Sequence, residues 1–161
     1  MIKKSLFFCL FSLLIGCGFH LRGVAEMPTW LKNVALIIES AHRDLEPTLK
    51  DQLQAYNVTI SPSAAKASYL LIIEKDENQQ QITSVSASTT PRQYQLFYRV
   101  WFRLVSNNGN VIIPSSQVTV TRQLTVNNDR ILGSDSEEIT IHREMRRDAA
   151  MQIIYRLNRK S

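Results

Sequence analysis

The sequence predicts an α/β (α+β) two-layer sandwich, a mostly antiparallel sheet of about four strands with two helices packed on one face. Three observations carry this. Apolar residues recur at helical spacing around 45–56 and again around 141–157; between these stretches, residues 93–105 alternate with the period of two that marks a strand; and Asn107-Asn108-Gly109-Asn110 then supplies a hairpin-turn signal. A helix with one apolar stripe must bury it, and a sheet with one apolar face provides the surface. At 161 residues the chain suits one domain, and 44% apolar and 20% charged residues, with five Gly and five Pro, exclude a disordered, collagen-like or polytopic membrane protein.

The first element is a targeting segment. Met1 to Cys17 reads MIKKSLFFCLFSLLIGC: two early lysines, an apolar run from Leu6 to Ile15 broken only by Ser12, then a small residue and a cysteine. The run is shorter than the ~20 residues a spanning helix needs, and it has no polar face, which marks a secretory signal peptide over residues 1–16. Leu14-Ile15-Gly16-Cys17 resembles the bacterial lipobox, in which the cysteine is lipidated and becomes the first mature residue. Cleavage there removes Lys3, Lys4 and Cys9, leaving 145 residues, a net charge lowered from +5 to +3, and a single cysteine that anchors and cannot crosslink. One acyl chain holds only marginally to a bilayer, so stable anchoring takes more than one lipid signal; the lipobox resemblance implies three chains on Cys17. An exported, tethered protein meets no nucleic acid, so its basic balance points to another anion.

Residues 17–28 form a lipidated N-terminus and tether ahead of a single domain at 29–161. The tether opens Cys17-Gly18-Phe19-His20-Leu21-Arg22-Gly23. Phe19 and Leu21, two apart, suit a short strand or an edge segment packed on the domain, and His20 with Arg22 is either a headgroup contact or a solvated pair. This string resembles the mature start of the LPS-assembly lipoprotein family LptE (RlpB), whose members begin Cys-Gly-aromatic-His-Leu-Arg. The order of elements that follows is also similar to that family, down to a last helix with Glu144-Met145 and Ala149-Ala150. The motif is specific, and the middle of the chain matches in pattern only.

Within the domain, Val34, Leu36 and Ile38 against Asn33, Ala35 and Ile37 predict a mostly buried strand. Asp44 offers an N-cap to a helix carrying Leu45, Leu49, Leu53 and Tyr56, with Pro47 tolerated in its first turn. Val58–Ile60 and Tyr69–Ile73 read as strands across a Ser- and Ala-rich break at 61–68. The Ser- and Thr-rich stretch 82–90 is either a polar edge strand or a mobile loop. Between Gln93 and Val105 the even positions (Tyr94, Leu96, Tyr98, Val100, Phe102, Leu104) form an apolar face, and the odd ones mix Gln93, Gln95, Arg99 and Arg103 with Phe97 and Trp101. Pro114 places a bulge or an edge in the return strand, where Val118, Val120, Leu124 and Val126 face the core. Ser134 to Glu137 has capping-box spacing and opens the last helix, with a stripe of Ile141, Met145, Ala149, Ile153 and Leu157. Arg156, Arg159 and Lys160 at its end suit the helix dipole.

Catalysis finds no support. The only mature cysteine is the proposed lipid site, no Gly-x-Ser-x-Gly occurs, and His20, His42 and His142 are scattered without metal spacing and read as solvated. Glu74, Asp76, Glu77 and Asp129 read as solvated residues of polar turns. No cofactor is expected beyond covalent lipid on Cys17. A binding role fits better: the Gln/Thr face with Phe97, Arg99, Trp101 and Arg103 suits docking on a polar, partly apolar wall. The resemblance implies a plug within the lumen of the outer-membrane β-barrel protein LptD, assisting its assembly and forming with it the translocon that inserts lipopolysaccharide into the outer leaflet. It further implies anchoring in the inner leaflet of the outer membrane, which Gly18 after the cysteine fits. Lipopolysaccharide supplies phosphates, for which Arg forks are suited; Arg92, Arg122 and Arg130 are the candidates by charge and position. Arg122 interrupts the apolar parity of its strand, which marks either a ligand contact or an edge residue reaching to solvent. The competing function is a periplasm-facing lipoprotein subunit of another envelope complex or an accessory to a cell-wall enzyme.

Overall fold

The computed structural model describes residues 27–85, 91–126 and 131–159, with side chains at all of these but 91 and 131–135. Strand β1 (Asn33–Ser40) leads to helix α1 (Leu45–Ala55), a two-residue strand β2 (Thr59–Ile60) and a 3-10 turn at Ala64–Lys66. Three long strands follow, β3 (Tyr69–Val85), β4 (Pro91–Ser106) and β5 (Val111–Thr125), and then helix α2 (Ile131–Arg159).

The sheet corrects the sequence expectation. It has five strands in the order β2-β1-β3-β4-β5, and it is mixed. β1 runs parallel to both β2 and β3, while β3, β4 and β5 form an antiparallel meander. Parallel neighbours require a long crossover, which α1 and its flanking loops provide. Alternation marks a strand but not its direction, so the parallel front half was not legible from it.

Both helices cover one face. Leu45, Leu49 and Leu53 of α1 and Met145, Ala149, Ile153 and Leu157 of α2 are fully buried, and Ala150 and Ile154 widen the second stripe. They pack on Val34, Leu71, Ile73, Tyr98, Val100, Phe102, Val118 and Val120, the apolar parity of the sheet. At roughly 1.5–3 kcal/mol for each large buried aliphatic or aromatic side chain, this layer is the main source of stability.

Helix ends depart from simple capping. Asp44 occupies the N-cap position, but its backbone is already helical (φ −63°, ψ −22°) and its side chain makes no capping bond. The preceding turn accepts instead: Leu45 N–H donates to His42 O at 3.3 Å and Glu46 N–H to Arg43 O at 3.0 Å. At the other end Asn57 takes φ 60°, Val58 N–H donates to Leu53 O at 3.0 Å and Asn57 N–H to Gln54 O at 2.9 Å, a Schellman closure with Asn at the left-handed position. Helix α2 begins at Ile131, a turn before the Ser134 to Glu137 signal. Ser-x-x-Glu spacing also fits a helix interior, so it does not fix a first residue.

The turn at Asn107–Asn110 forms as expected, with Gly109 at φ 83° and Ser106 N–H donating to Asn110 O at 2.8 Å. Pro114 sits on an edge strand and at a register step, since Phe102 faces Ser116 while Leu104 faces Ile113. The segment 82–85 belongs to β3 and is an edge there, because pairing with β1 ends at Lys75; residues 86–90 lie outside the described residues.

Candidate functional site

A register step between Ile73 and Lys75 turns both Glu74 and Lys75 to the face without helices and brings Asp76 round to the core side, opposite Val100. Glu74, Asp76 and Glu77 therefore lie in a strand and not in polar turns. Asp76 is 9% exposed and its carboxylate accepts three bonds: from His42 N–H and His42 Nδ1, each at 2.9 Å, and from Tyr98 Oη at 2.9 Å. The His42 ring itself stays largely in solvent. Nothing local in the sequence signals this cluster, since its parity depends on the bulge. Burial, then the Asp76 charge and hydrogen bond, push the Tyr98 hydroxyl far above the usual phenol range, while Arg146 acts the other way.

The raised Tyr98 value has a defined pH signature. Folded Tyr98 keeps its proton where unfolded Tyr98, near pKa 10, loses it, so stability is unaffected below about pH 10 and falls above it. Unfolding free energies measured from pH 9 to 11 should show an alkaline slope larger in the wild type than in Tyr98→Phe by up to about 1.4 kcal/mol per pH unit. Equal slopes would remove the assignment.

The face without helices is the larger functional candidate. Its central row is Gln93, Gln95, Phe97, Arg99, Trp101 and Arg103 of β4, with Phe97, Arg99, Trp101 and Arg103 all half-buried. Register places Phe97 between Gln79 and Thr121, Arg99 between Glu77 and Thr119, and Trp101 between Lys75 and Gln117. Lys75 Nζ lies 4.0 Å from the Trp101 ring centre and Arg99 Cζ 5.3 Å from that of Phe97, both within cation–π range. Most of the cations are paired: Arg103 donates to Glu74 and Glu39 at 2.7 Å each and Lys75 to Glu77 at 2.8 Å, while Arg99 donates to the neutral amide of Gln79 at 2.8 Å. A second carboxylate oxygen of Glu74 accepts from Ser115. This is a polar wall with two aromatic anchors and little net charge, the composition of a protein-docking surface rather than of an anion site.

The candidate anion ligands sit elsewhere. Arg92 is exposed at the start of β4, where its carbonyl accepts from Val126 N–H at 2.8 Å. Arg122 is on the helix side of β5 and pairs with Asp148 of α2, so the residue that breaks the apolar parity ties the sheet edge to the helix. Leu96 faces Arg122 and Gln93 faces Thr125, which puts Arg92 and Arg122 toward the same end of the sheet. Arg130, Asp129, Cys17 and His20 lie outside the described residues. His142 is 3.6 Å from Glu138. Among the described residues no three His, Cys, Asp or Glu side chains group as metal ligands, and no helix is long and apolar enough to cross a membrane.

A five-stranded mixed sheet with both helices on one face and a polar, aromatic-bearing second face places the chain in the class of small α+β domains found among bacterial lipoproteins. A lipoprotein B of Nitrosomonas europaea has the same fold (TM-score 0.71, 25% identity, 88% of this chain and 90% of that one). So does a minor lipoprotein of Acinetobacter baumannii, at a TM-score of 0.68 and 22% identity over 81% and 93% of the two chains. The chain belongs to the LptE family, whose model, described as lipopolysaccharide-assembly, matches residues 31–157. It is 31% identical to the LPS-assembly lipoprotein LptE of Photorhabdus laumondii over 88% of this chain and 77% of that one, and equally to that of Yersinia pestis over 88% and 68%.

Proposed function

We propose that this chain is an outer-membrane lipoprotein of lipopolysaccharide assembly that plugs the LptD β-barrel, assists its assembly and takes part in delivering lipopolysaccharide to the outer leaflet. In this reading residues 1–16 are removed as a signal peptide, Cys17 carries the lipid, residues 17–28 tether it to the inner leaflet of the outer membrane, and residues 29–161 form the plug. Its role is binding, without catalysis or a cofactor. The observation that carries the reading is the face without helices. A barrel lumen is polar, and a wall of Gln and Thr around Phe97 and Trp101, with Arg103 and Lys75 paired to carboxylates and Arg99 to the Gln79 amide, offers it hydrogen bonds with little net charge to desolvate.

The test is recovery of a heat-modifiable barrel of much greater mass with the tagged, lipidated protein, together with loss of surface lipopolysaccharide on depletion. A tagged protein that comes down without a barrel rejects the plug role and favours another envelope complex. For lipopolysaccharide itself, Arg92, Arg122 and Arg130 are the proposed contacts. Arg122 would exchange Asp148 for a phosphate, a trade between two anions of similar fit to its fork. Replacing all three by Ala should abolish lipopolysaccharide binding by the purified protein; unchanged binding rejects these ligands.

A further inference from the structure

We propose that a cleft between the outer half of β3 and the first half of α2 is a phosphate-binding subsite, with Arg146 as the principal ligand and His142 and Asn78 beside it; this deepens the lipopolysaccharide reading and takes its natural ligand from it. The cleft follows from the strand lengths. β1 ends at Ser40, paired with Lys75, while β3 runs on to Val85, so beyond Lys75 the layer under α2 loses its neighbour on one side. There Asn78, Ile139, His142 and Arg146 line an opening of about 340 Å³. Asn78 stands opposite Tyr98, whose side chain is in the core, so it shares the helix side of the sheet. Ile139, His142 and Arg146, three and four residues apart, share one face of α2.

Arg146 is the unusual residue. The half-buried cations Lys50 and Arg103 are paired to carboxylates, and Arg99 donates to Gln79. Arg146 is half-buried too, yet among the described residues it has neither a hydrogen bond nor an ion pair. Its charge is felt at the Tyr98 hydroxyl, so the guanidinium lies over the sheet and not out in solvent. A rigid fork of donors held in a partly desolvated place suits an oxyanion taken at two points. Two acids are near. Asp76 already accepts from His42 and Tyr98, and Glu138 stands 3.6 Å from His142, beyond a hydrogen bond. Neither is within ion-pair distance of Arg146, and His142 keeps Nε2 for a ligand.

The donor set selects the anion. A guanidinium, an imidazole and an amide, supplied from two elements, converge on a group with three or more oxygens, which a phosphate has and a carboxylate lacks. Ile139, 59% exposed at the rim, and Ile82, 53% exposed further along the same face of β3, set apolar surface beside the cations, as a phosphate carried on a lipid requires. Arg92, at the start of β4, is about 20 Å further along that strand from Tyr98, so a ligand with more than one phosphate reaches both arginines and loses affinity when either is removed.

In the purified, lipidated protein, Arg146→Gln should weaken lipopolysaccharide binding at least about tenfold, with circular dichroism and thermal midpoint near wild type. Arg146→Lys should recover only part of the loss, because it restores the charge without the fork. Arg147→Gln removes the same charge from an exposed neighbour and should leave binding within about twofold; an equal loss in both Gln variants overturns the subsite. Lipopolysaccharide stripped of its phosphates should bind wild type and Arg146→Gln alike. Inorganic phosphate separates the sources: if Arg146→Gln weakens binding of phosphate and not of lipopolysaccharide, the subsite stands and its ligand is a free phosphate. A folded Arg146→Gln that binds both as wild type does overturns the subsite and leaves the lipopolysaccharide reading in place. A wild-type chain that binds phosphate at Arg146 but no lipopolysaccharide overturns that reading and leaves the subsite. If Arg146→Gln does not fold, the unmodified protein decides: the side-chain resonances of Arg146 and Asn78 should move together on titration with inorganic phosphate, and unmoved resonances reject the site.

Discussion

Asp76→Ala is expected to lower the unfolding free energy by about 3 kcal/mol, read as a shift in urea midpoint at constant slope. The carboxylate joins three parts of the molecule: the loop between β1 and α1 through two atoms of His42, the bulged segment of β3, and the middle of β4 through Tyr98. Hydrogen bonds to a charged acceptor contribute about 1.5–3 kcal/mol each, but the three losses are not equal. His42 is exposed at its ring and regains water when its acceptor is removed. Tyr98 is 1% exposed, and its hydroxyl would be left buried with no acceptor, a cost of about 1–3 kcal/mol by itself. Asp76→Asn keeps the volume and one acceptor oxygen, so its loss should be smaller, about half. The amides from Ala41 to Asp44 should also exchange faster in Asp76→Ala, because the carboxylate is what holds His42 N–H. An Asp76→Ala protein with wild-type stability would mean that the cluster is solvated and contributes nothing.

That cluster also shows where the sequence stops being informative. The alternation from Gln93 to Val105 identified both faces of β4 correctly, because every residue of that strand keeps its parity from Tyr94 to Leu104. The stripes of α1 and α2 were equally plain, since Leu45, Leu49 and Leu53, like Met145, Ala149 and Ile153, bury themselves at the helical period. β3 was legible only to Ile73. Beyond it lie the bulge and a run of polar residues, Asn78 to Gln81, exposed on both faces of an edge, so a strand continues where no apolar alternation remains to mark it. The parallel pairing of β1 with β3 is a relation between segments more than thirty residues apart, and no local pattern encodes it. Arg122 is an intermediate case. Its misplaced parity signalled that something polar faced it, and the partner, Asp148, is 26 residues further on in another element. The row from Phe97 to Arg103 was visible as a list of residue types; the neutralisation of Arg103 by Glu39 and Glu74 was not, because it joins three strands.

Under the proposed plug role, these pairings decide which residues of the face should matter most for binding. Arg103 is held at both guanidinium ends by carboxylates, so it does not arrive at an interface as a free charge, and replacing it alone removes little new attraction; Arg99 is fixed in place by the neutral amide of Gln79 and keeps its charge. Phe97 and Trp101 are different. Each is half-buried, flanked on both sides by Gln, Thr or Lys, and overlaid by a cation whose methylene stem extends the apolar surface around the ring. Aromatic anchors of this kind, ringed by polar contacts that exclude water, account for about 2 kcal/mol or more each where alanine scans have located binding energy. Phe97→Glu with Trp101→Glu should therefore reduce barrel recovered with the lipidated protein by about a hundredfold or more, with the thermal midpoint of the free domain little changed, since neither ring contributes to the core under the helices. Lipopolysaccharide binding by the free protein should persist in this double variant, because Arg92 and Arg122 are at the sheet end and on the opposite face. A double variant that still brings down its barrel in full would place the docking surface on the helical side of the molecule, and with it the orientation of the plug would be reversed.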